Sequence, residues 1–392
     1  MSATGPGRSD AGESTASAVA GRVREAGFVR LVGAATGDGL AASAVLARTL
    51  AALSRPFQVS LTPFAADAAR GTEADCTVAV GRADATADLH LPGAGRPASE
   101  TAFAVARDLG VAGAAEPATS DGDLLALALA GVHAAGRVAD SDVAEHAADA
   151  GFARRPGLSI PTPDLADGLA GSTFVHLPVS GDPGAAGNLL ADHDLPTDAA
   201  ALDGDGRRRL ASLVAIEAVG DDDVPPRGGE AVERVCRPFA GGPVETVGGY
   251  GDVLDAVARE RPGTGIALAL GQDVTADALD AWRVHARRAH EAVRAADTGR
   301  YDGLFVARPP DSAAPVGTVA RLVHDYRSPE PVTLAVVDGT AALVADDRDL
   351  DSVARTAADR LDGTGEATGT TGRARFDAEA SAFVAAVREA LA

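Results

Sequence analysis

Asp38, Asp88, His90, Asp123 and Asp140 are side chains of the types that hold divalent cations, and each stands in a turn or beside an expected element end. Carboxylate oxygens and imidazole nitrogens are the ligands that Mn2+ and Mg2+ accept. Two such ions held together clamp the attacking and leaving oxygens of an in-line displacement at phosphorus. A second group, Arg373 and Arg375, can reach an anion. Both groups also have a commoner structural job. Asp38 sits where a helix cap sits, and Asp88, Asp123 and Asp140 where caps and solvated turns sit. Arg373 and Arg375 alternate with Ala374 and Phe376, as in a plain strand.

These residues need elements to position them. The stretch from Phe28 to Leu53 reads as a buried strand (Phe28, Val29, Leu31, Val32), a small-residue turn from Gly33 to Gly39, and a helix. The helix follows from Leu40, Ser43, Ala44, Leu46, Ala47 and Leu50, spaced mostly along one face. Strand, tight turn, helix is how an α/β domain places chemistry at the carboxyl end of a strand. Further strands are expected at 56–61 and 75–81, the latter apolar on both faces as in a parallel sheet. A helix is expected from Ser99 to Leu109, and another from Leu124 to Val138.

GAATGDGLAASAVLARTL resembles the first motif of the DHH phosphoesterase superfamily, in its RecJ-like branch. That motif is a strand, then His-x-Asp-x-Asp-Gly, then a helix of small and aliphatic residues. Aligned on Asp38-Gly39, the His position holds Ala34 and the first Asp position Thr36. Where the family's third strand ends in an Asp, this chain has Gly81. Where the family has Asp-His-His, it has Asp88-Leu89-His90, and Asp140 stands for the Asp after a later helix. The resemblance implies an α/β protein: a DHH-type lobe with a parallel sheet, plus a smaller C-terminal α/β lobe with a cleft between them. It also implies a nuclease using Mn2+ or Mg2+ if active, and no metal if the centre is degenerate. Asp38, Asp88 and His90 are too few for two ions, so the resemblance points to the superfamily's catalytically dead members. Those serve as replication-fork scaffolds that bind the GINS complex and the MCM helicase, and single-stranded DNA is a further implied ligand. The alternative is an active single-strand-specific exonuclease or phosphoesterase with a remodelled site.

The expected organisation is a flexible tail over 1–17, a DHH-like core over 18–150, an inter-lobe region over 151–262, a strand and connecting helix over 263–300, and the C-terminal domain over 301–392. The strand in the fourth segment is the apolar run Gly265–Leu270, and Thr275–Ala296 is the helix. The last segment resembles the DHH-associated domain, whose Gly-Gly-His loop holds phosphate. The resemblance implies that Gly363, Gly365 and Gly369 would present backbone N–H groups to that phosphate; the His is absent, and Glu366 stands nearby. Asp338-Gly339, between expected strands 331–337 and 340–345, predicts a type I′ hairpin. The spacing of His176, Asp192, His193 and Asp194 fits no tetrahedral site.

Composition bounds the rest. The chain has 392 residues, net charge −21 and 35 basic residues, every one of them Arg. Such acidity opposes nucleic-acid binding at low salt. In molar salt the Debye length is about 3 Å and only close contacts count. Abundant Asp with Arg in place of Lys resembles the proteome of a salt-in halophilic archaeon. No run of eighteen apolar residues suggests a membrane span, and Cys76 and Cys236 are too far apart to read as a disulfide framework, so a reduced cytoplasm is expected.

Overall fold

The computed structural model describes residues 8–68, 73–112, 119–137, 141–221 and 223–392. Two compact units form, each from two stretches of chain: Met1–Arg154 with Phe239–Leu279, and Arg155–Pro238 with Asp280–Ala392. The first stretch gives α1 (Arg8–Glu25), β1 (Val29–Ala34), α2 (Gly37–Ala52), β2 (Phe57–Thr62), β3 (Cys76–Val80), β4 (Leu89–Leu91), α3 (Ala98–Asp108), α4 (Thr119–Ala134) and α5 (Asp142–Asp149). The chain then supplies α6 (Leu165–Gly171), α7 (Pro183–Asp192), α8 (Gly204–Val219) and α9 (Pro226–Val235) to the second unit. It returns to the first with α10 (Val247–Glu260) and α11 (Pro262–Ala269). After α12 (Thr275–Ala295) the second unit is completed by β5 (Asp297–Tyr301), β6 (Leu304–Arg308), α13 (Val316–Tyr326), β7 (Val332–Val337), β8 (Thr340–Ala345), α14 (Asp351–Asp359), β9 (Thr364–Thr368), β10 (Thr371–Arg375) and α15 (Ala380–Leu391).

The sheet of the first unit runs β2-β1-β3-β4 and is parallel throughout. Val29, Leu31, Val32 and Ala34 of β1 are all buried, because a central parallel strand is covered on both faces. The side chain of Thr36 caps α2 by accepting the Gly39 N–H at 3.1 Å. Ala41, Ala42, Ala44 and Ala47 keep α2 slim enough to be buried among β1, α3, α4 and α10.

The second sheet runs β5-β6-β7-β8-β10-β9, parallel only between β6 and β7. Strand β7 shows its layering. Leu334 and Val336 join a core with Leu343, Val353 and Phe383, whereas Ala335 joins the other core with Val319, Ala320 and Val323 of α13. The alternation is the period of two that a strand covered on both faces imposes. Arg155–Pro238 does not link lobes: Leu165, Leu169, Leu190, Leu213 and Val232 pack in one core with Ala289 and Val293 of α12 and with α13.

Several expectations need correction. The expected tail is helical from Arg8, and the helix is anchored by burial of Ala16, Val19, Ala20 and Val23. The expected strand at 265–270 is helix α11, started by Pro262 and packed on α2 and α10. A short apolar run cannot tell a strand from a buried helix. Residues 297–308 make a hairpin, β5–β6. At Asp338-Gly339 only the glycine has positive φ, +84°, so the turn is not type I′. Asp338 is committed elsewhere: its carboxylate accepts the Ala380 N–H at the start of α15 at 2.9 Å.

Candidate functional site

Asp38 lies in the first turn of α2, beyond the carboxyl end of β1. Its carboxylate turns to a different helix. Oδ2 accepts the Ala98 N–H at 2.8 Å, and Oδ1 accepts the Ser99 N–H at 2.9 Å and the Ser99 hydroxyl at 2.6 Å. Asp38 thus caps α3, while Thr36 caps its own helix. Desolvation pushes the Asp38 carboxyl above the usual carboxylate range, against the pull of these hydrogen bonds and with help from Glu100.

The ground around it is closed. Gly81 ends β3 with φ +72°, and a Cβ there would lie 3.2 Å from the Gly39 Cα and 3.4 Å from the Ala34 Cβ. A Cβ on Gly39 would lie 2.4 Å from the Ala34 carbonyl oxygen. Two of the positions where the family's motifs put His and Asp, Ala34 and Gly81, therefore lie against each other, with the motif's own Gly39 beside them.

Asp88 and His90 do not join Asp38. Asp88 is exposed and opposes Thr77 near the amino end of β3, accepting its N–H at 2.7 Å. Asp38 lies past the other end of the sheet, on the order of 10 Å away at ~3.3 Å per strand residue. His90 pairs with Ala79 across β3–β4, and its Nε2 meets the Asp84 carbonyl oxygen. Asp123 lies on α4, and Asp140 lies outside the described residues. Among the described residues no three His, Cys, Asp or Glu side chains gather to hold a metal ion. The described residues do not fit the two-ion centre that the family resemblance implies.

The segment 363–372 is not a loop. Gly363 precedes β9, Gly365 lies within it, and Gly369 (φ +60°) turns the β9–β10 hairpin. A Cβ on Gly365 would lie 2.1 Å from the Ala354 carbonyl oxygen of α14, and one on Gly363 would lie 2.3 Å from the Arg375 carbonyl oxygen. These two glycines allow close packing of backbone on backbone. Arg373 and Arg375 point away from the face that buries Gly372, Ala374 and Phe376, and Arg373 stands opposite Glu366.

Sequence reasoning missed three buried polar features. Asp255 of α10, 5% exposed, accepts the Gly37 N–H at 2.8 Å and pairs with Arg259. Glu100 of α3 is buried, pairs with Arg96 at 2.9 Å and accepts the Asp142 N–H at 3.2 Å; desolvation pushes its carboxyl up. In the second unit, His176 and His290 bring their Nδ1 atoms to 3.0 Å, and His290 Nε2 is 3.0 Å from the Ser172 carbonyl oxygen. Asp255 and Glu100 each had a local sequence signal, an Arg four residues away, and Asp255 shares a helix with its Arg259.

Comparison with known proteins follows this geometry. A family model described as "Uncharacterized protein rrnAC1427, C-terminal domain" matches residues 296–389, the stretch from β5 through most of α15. A protein of Haloarcula marismortui described as "Uncharacterized protein rrnAC1427" is 52% identical over 393 residues, covering 100% of each chain. The chain belongs to the rrnAC1427 family. This rrnAC1427-family chain also matches the crystal structure of CDC45 from Entamoeba histolytica with a TM-score of 0.56 over 97% of this chain and 98% of that one, at 8% identity. That likeness is one of fold. The crystal structure of exonuclease RecJ bound to manganese matches with a TM-score of 0.46, 17% identity, and 97% and 94% coverage. The fold is shared with that CDC45 structure. Among the described residues no helix is long and apolar enough to cross a membrane.

Proposed function

We propose that this chain is a nuclease-deficient RecJ-like protein of DNA replication or repair that works by binding, with single-stranded DNA or replisome proteins such as GINS and MCM as its partners. The observation that carries the reading is the closed ground between β1 and β3. Ala34 and Gly81 lie against each other where metal ligands are expected, Thr36 stands at a third such position, and Asp38 is spent on the start of α3. Two-ion phosphodiester cleavage needs several anionic ligands per ion, and the described residues supply no such set. The shared fold with CDC45 is compatible with a role that needs no catalytic centre.

The test is single-turnover degradation of 5′-labelled single-stranded DNA in molar KCl with Mn2+, followed by pull-downs with GINS and MCM. The expected result is no cleavage, with retention of DNA or of at least one protein partner. Metal-dependent cleavage that disappears in Asp38→Asn would establish the enzyme alternative instead.

A further inference from the structure

We propose that the carboxyl edge of the first sheet is shut by the chain's own anions, Asp38 seated on the N-terminus of α3 and Asp255 seated on the N-terminus of α2. Open α/β sheets receive ligands at this edge, and helix N-termini there attract anions through unpaired N–H groups and the positive end of the helix dipole. Two helices begin at this edge, α2 after β1 and α3 after β4. Each already has an internal carboxylate. Asp38 takes two backbone N–H groups and one hydroxyl from the first turn of α3. Asp255 takes the Gly37 N–H from a position 218 residues later in the chain.

Neighbouring backbone packs against both carboxylates. A Cβ on Gly37 would lie 2.6 Å from the Ala134 Cβ and 3.0 Å from the Asp255 Cβ, so α2, α4 and α10 meet at that point. A Cβ on Gly93 would lie 3.5 Å from Asp38 Oδ2, so the segment before α3 lies against the other carboxylate. The two acids therefore tie α2 to α10 and α3 to α2, as a bound metal or phosphate could do in an open centre. Asp38 and Asp255 are positioning residues here, and the edge is a brace.

The experiment compares thermal melts of the full-length wild type, Asp38→Asn and Asp255→Ala in KCl of matched ionic strength, with MnCl2, potassium phosphate or potassium formate added. The wild type is expected to melt at the same temperature in all additions. Both variants are expected to melt lower, by about 5 °C or more, as the loss of charge-assisted bonds predicts. Formate, a small carboxylate, is expected to recover part of the loss in Asp255→Ala alone. Hydrogen exchange supplies the local readout: Ala98 and Ser99 amides lose protection in Asp38→Asn beyond the global change. Should Asp255→Ala fail to fold, Asp255→Asn takes its place, with a smaller fall expected. A wild-type rise with manganese or phosphate that Asp38→Asn abolishes overturns the inference, as do variants that melt like the wild type. Failure of GINS, MCM and DNA to bind, with the melts as expected, would overturn only the binding role.

Discussion

His290 has both ring nitrogens committed, and this fixes its tautomer. The Ser172 carbonyl can only accept, so Nε2 of His290 carries the hydrogen. Nδ1 of the neutral ring must then accept, and His176 donates from its own Nδ1. Burial, helped by the nearby charge of Arg294, lowers His176 to about 4 and His290 to about 3. Burial also lowers His133 to about 3 and His324 to about 4. The unfolded imidazoles titrate near 6.5, so below that pH the unfolded chain binds protons that the folded chain refuses. Stability present above pH 6.5 is therefore lost as pH falls toward 4, by about 1.4 kcal/mol per unit and per His. Asp38, Glu100 and Asp325, whose carboxyls are pushed up by burial, act in the opposite sense as they take up protons. His133 separates the effects, because among the described residues its buried Nε2 has no hydrogen-bond partner. His133→Leu is expected to be neutral or stabilising at pH 8. It is expected to lose about 1 kcal/mol less than the wild type between pH 8 and 5.5. Urea midpoints at the two pH values check this, and an unchanged slope would contradict it.

At the scale of elements, glycines decide how closely helices and strands approach. Gly365→Ala would push a methyl into the α14 backbone at Ala354, and Gly171→Ala would push one into the Trp282 ring, 2.3 Å from its nearest carbon. Each is expected to cost at least about 1–3 kcal/mol, the range for overpacking. Gly229, exposed in α9 with nothing near its absent side chain, is the control. Gly229→Ala is expected to gain about 0.5–1 kcal/mol from helix propensity alone. Denaturation midpoints of the three variants give the order. A mild Gly365→Ala would mean that α14 can move off β9, and would return these glycines to consideration as a phosphate cradle. The same contacts explain why this region misleads at sequence level. A glycine that admits a phosphate and a glycine that admits a carbonyl oxygen are one letter.

At the scale of the whole molecule, a net charge of −21 on 392 residues repels itself at low ionic strength. The melting temperature is expected to climb steadily from 0.2 to 2 M KCl, the range in which the Debye length falls to a few ångströms. A flat response would separate this acidity from salt adaptation. Arg in every basic position supports the same expectation in a limited way, since several pairs are held within the fold. Arg227 with Asp346 at 2.8 Å and Arg283 with Asp167 at 2.9 Å both lie in the second unit. Arg283 engages Asp167 through two guanidinium nitrogens, a planar geometry that Lys cannot offer.

The sequence by itself determined the β1–turn–α2 unit, the parallel sheet with β2 and β3, the α12 stripe through Trp282 and Val293, and the strands β7 and β8. These are local: their periodicity and turn residues lie within one short window, and burial only had to agree with it. The absence of His and Asp at Ala34, Thr36 and Gly81 was legible too, because a missing ligand is a matter of residue identity. Tertiary structure alone decided what the remaining acid does. Asp38 looked like a ligand or a cap for its own helix, and it caps α3, sixty residues on. Asp255 reaches Gly37 only because α10 returns to the first unit after a long excursion through the second. Residues 265–270 belong to a helix that packs on α2 and α10, partners that lie far off in the chain or beyond the window of the run. A side chain's partner is set by which backbone N–H groups remain unpaired nearby once the chain has folded, and that is a property of the assembled unit.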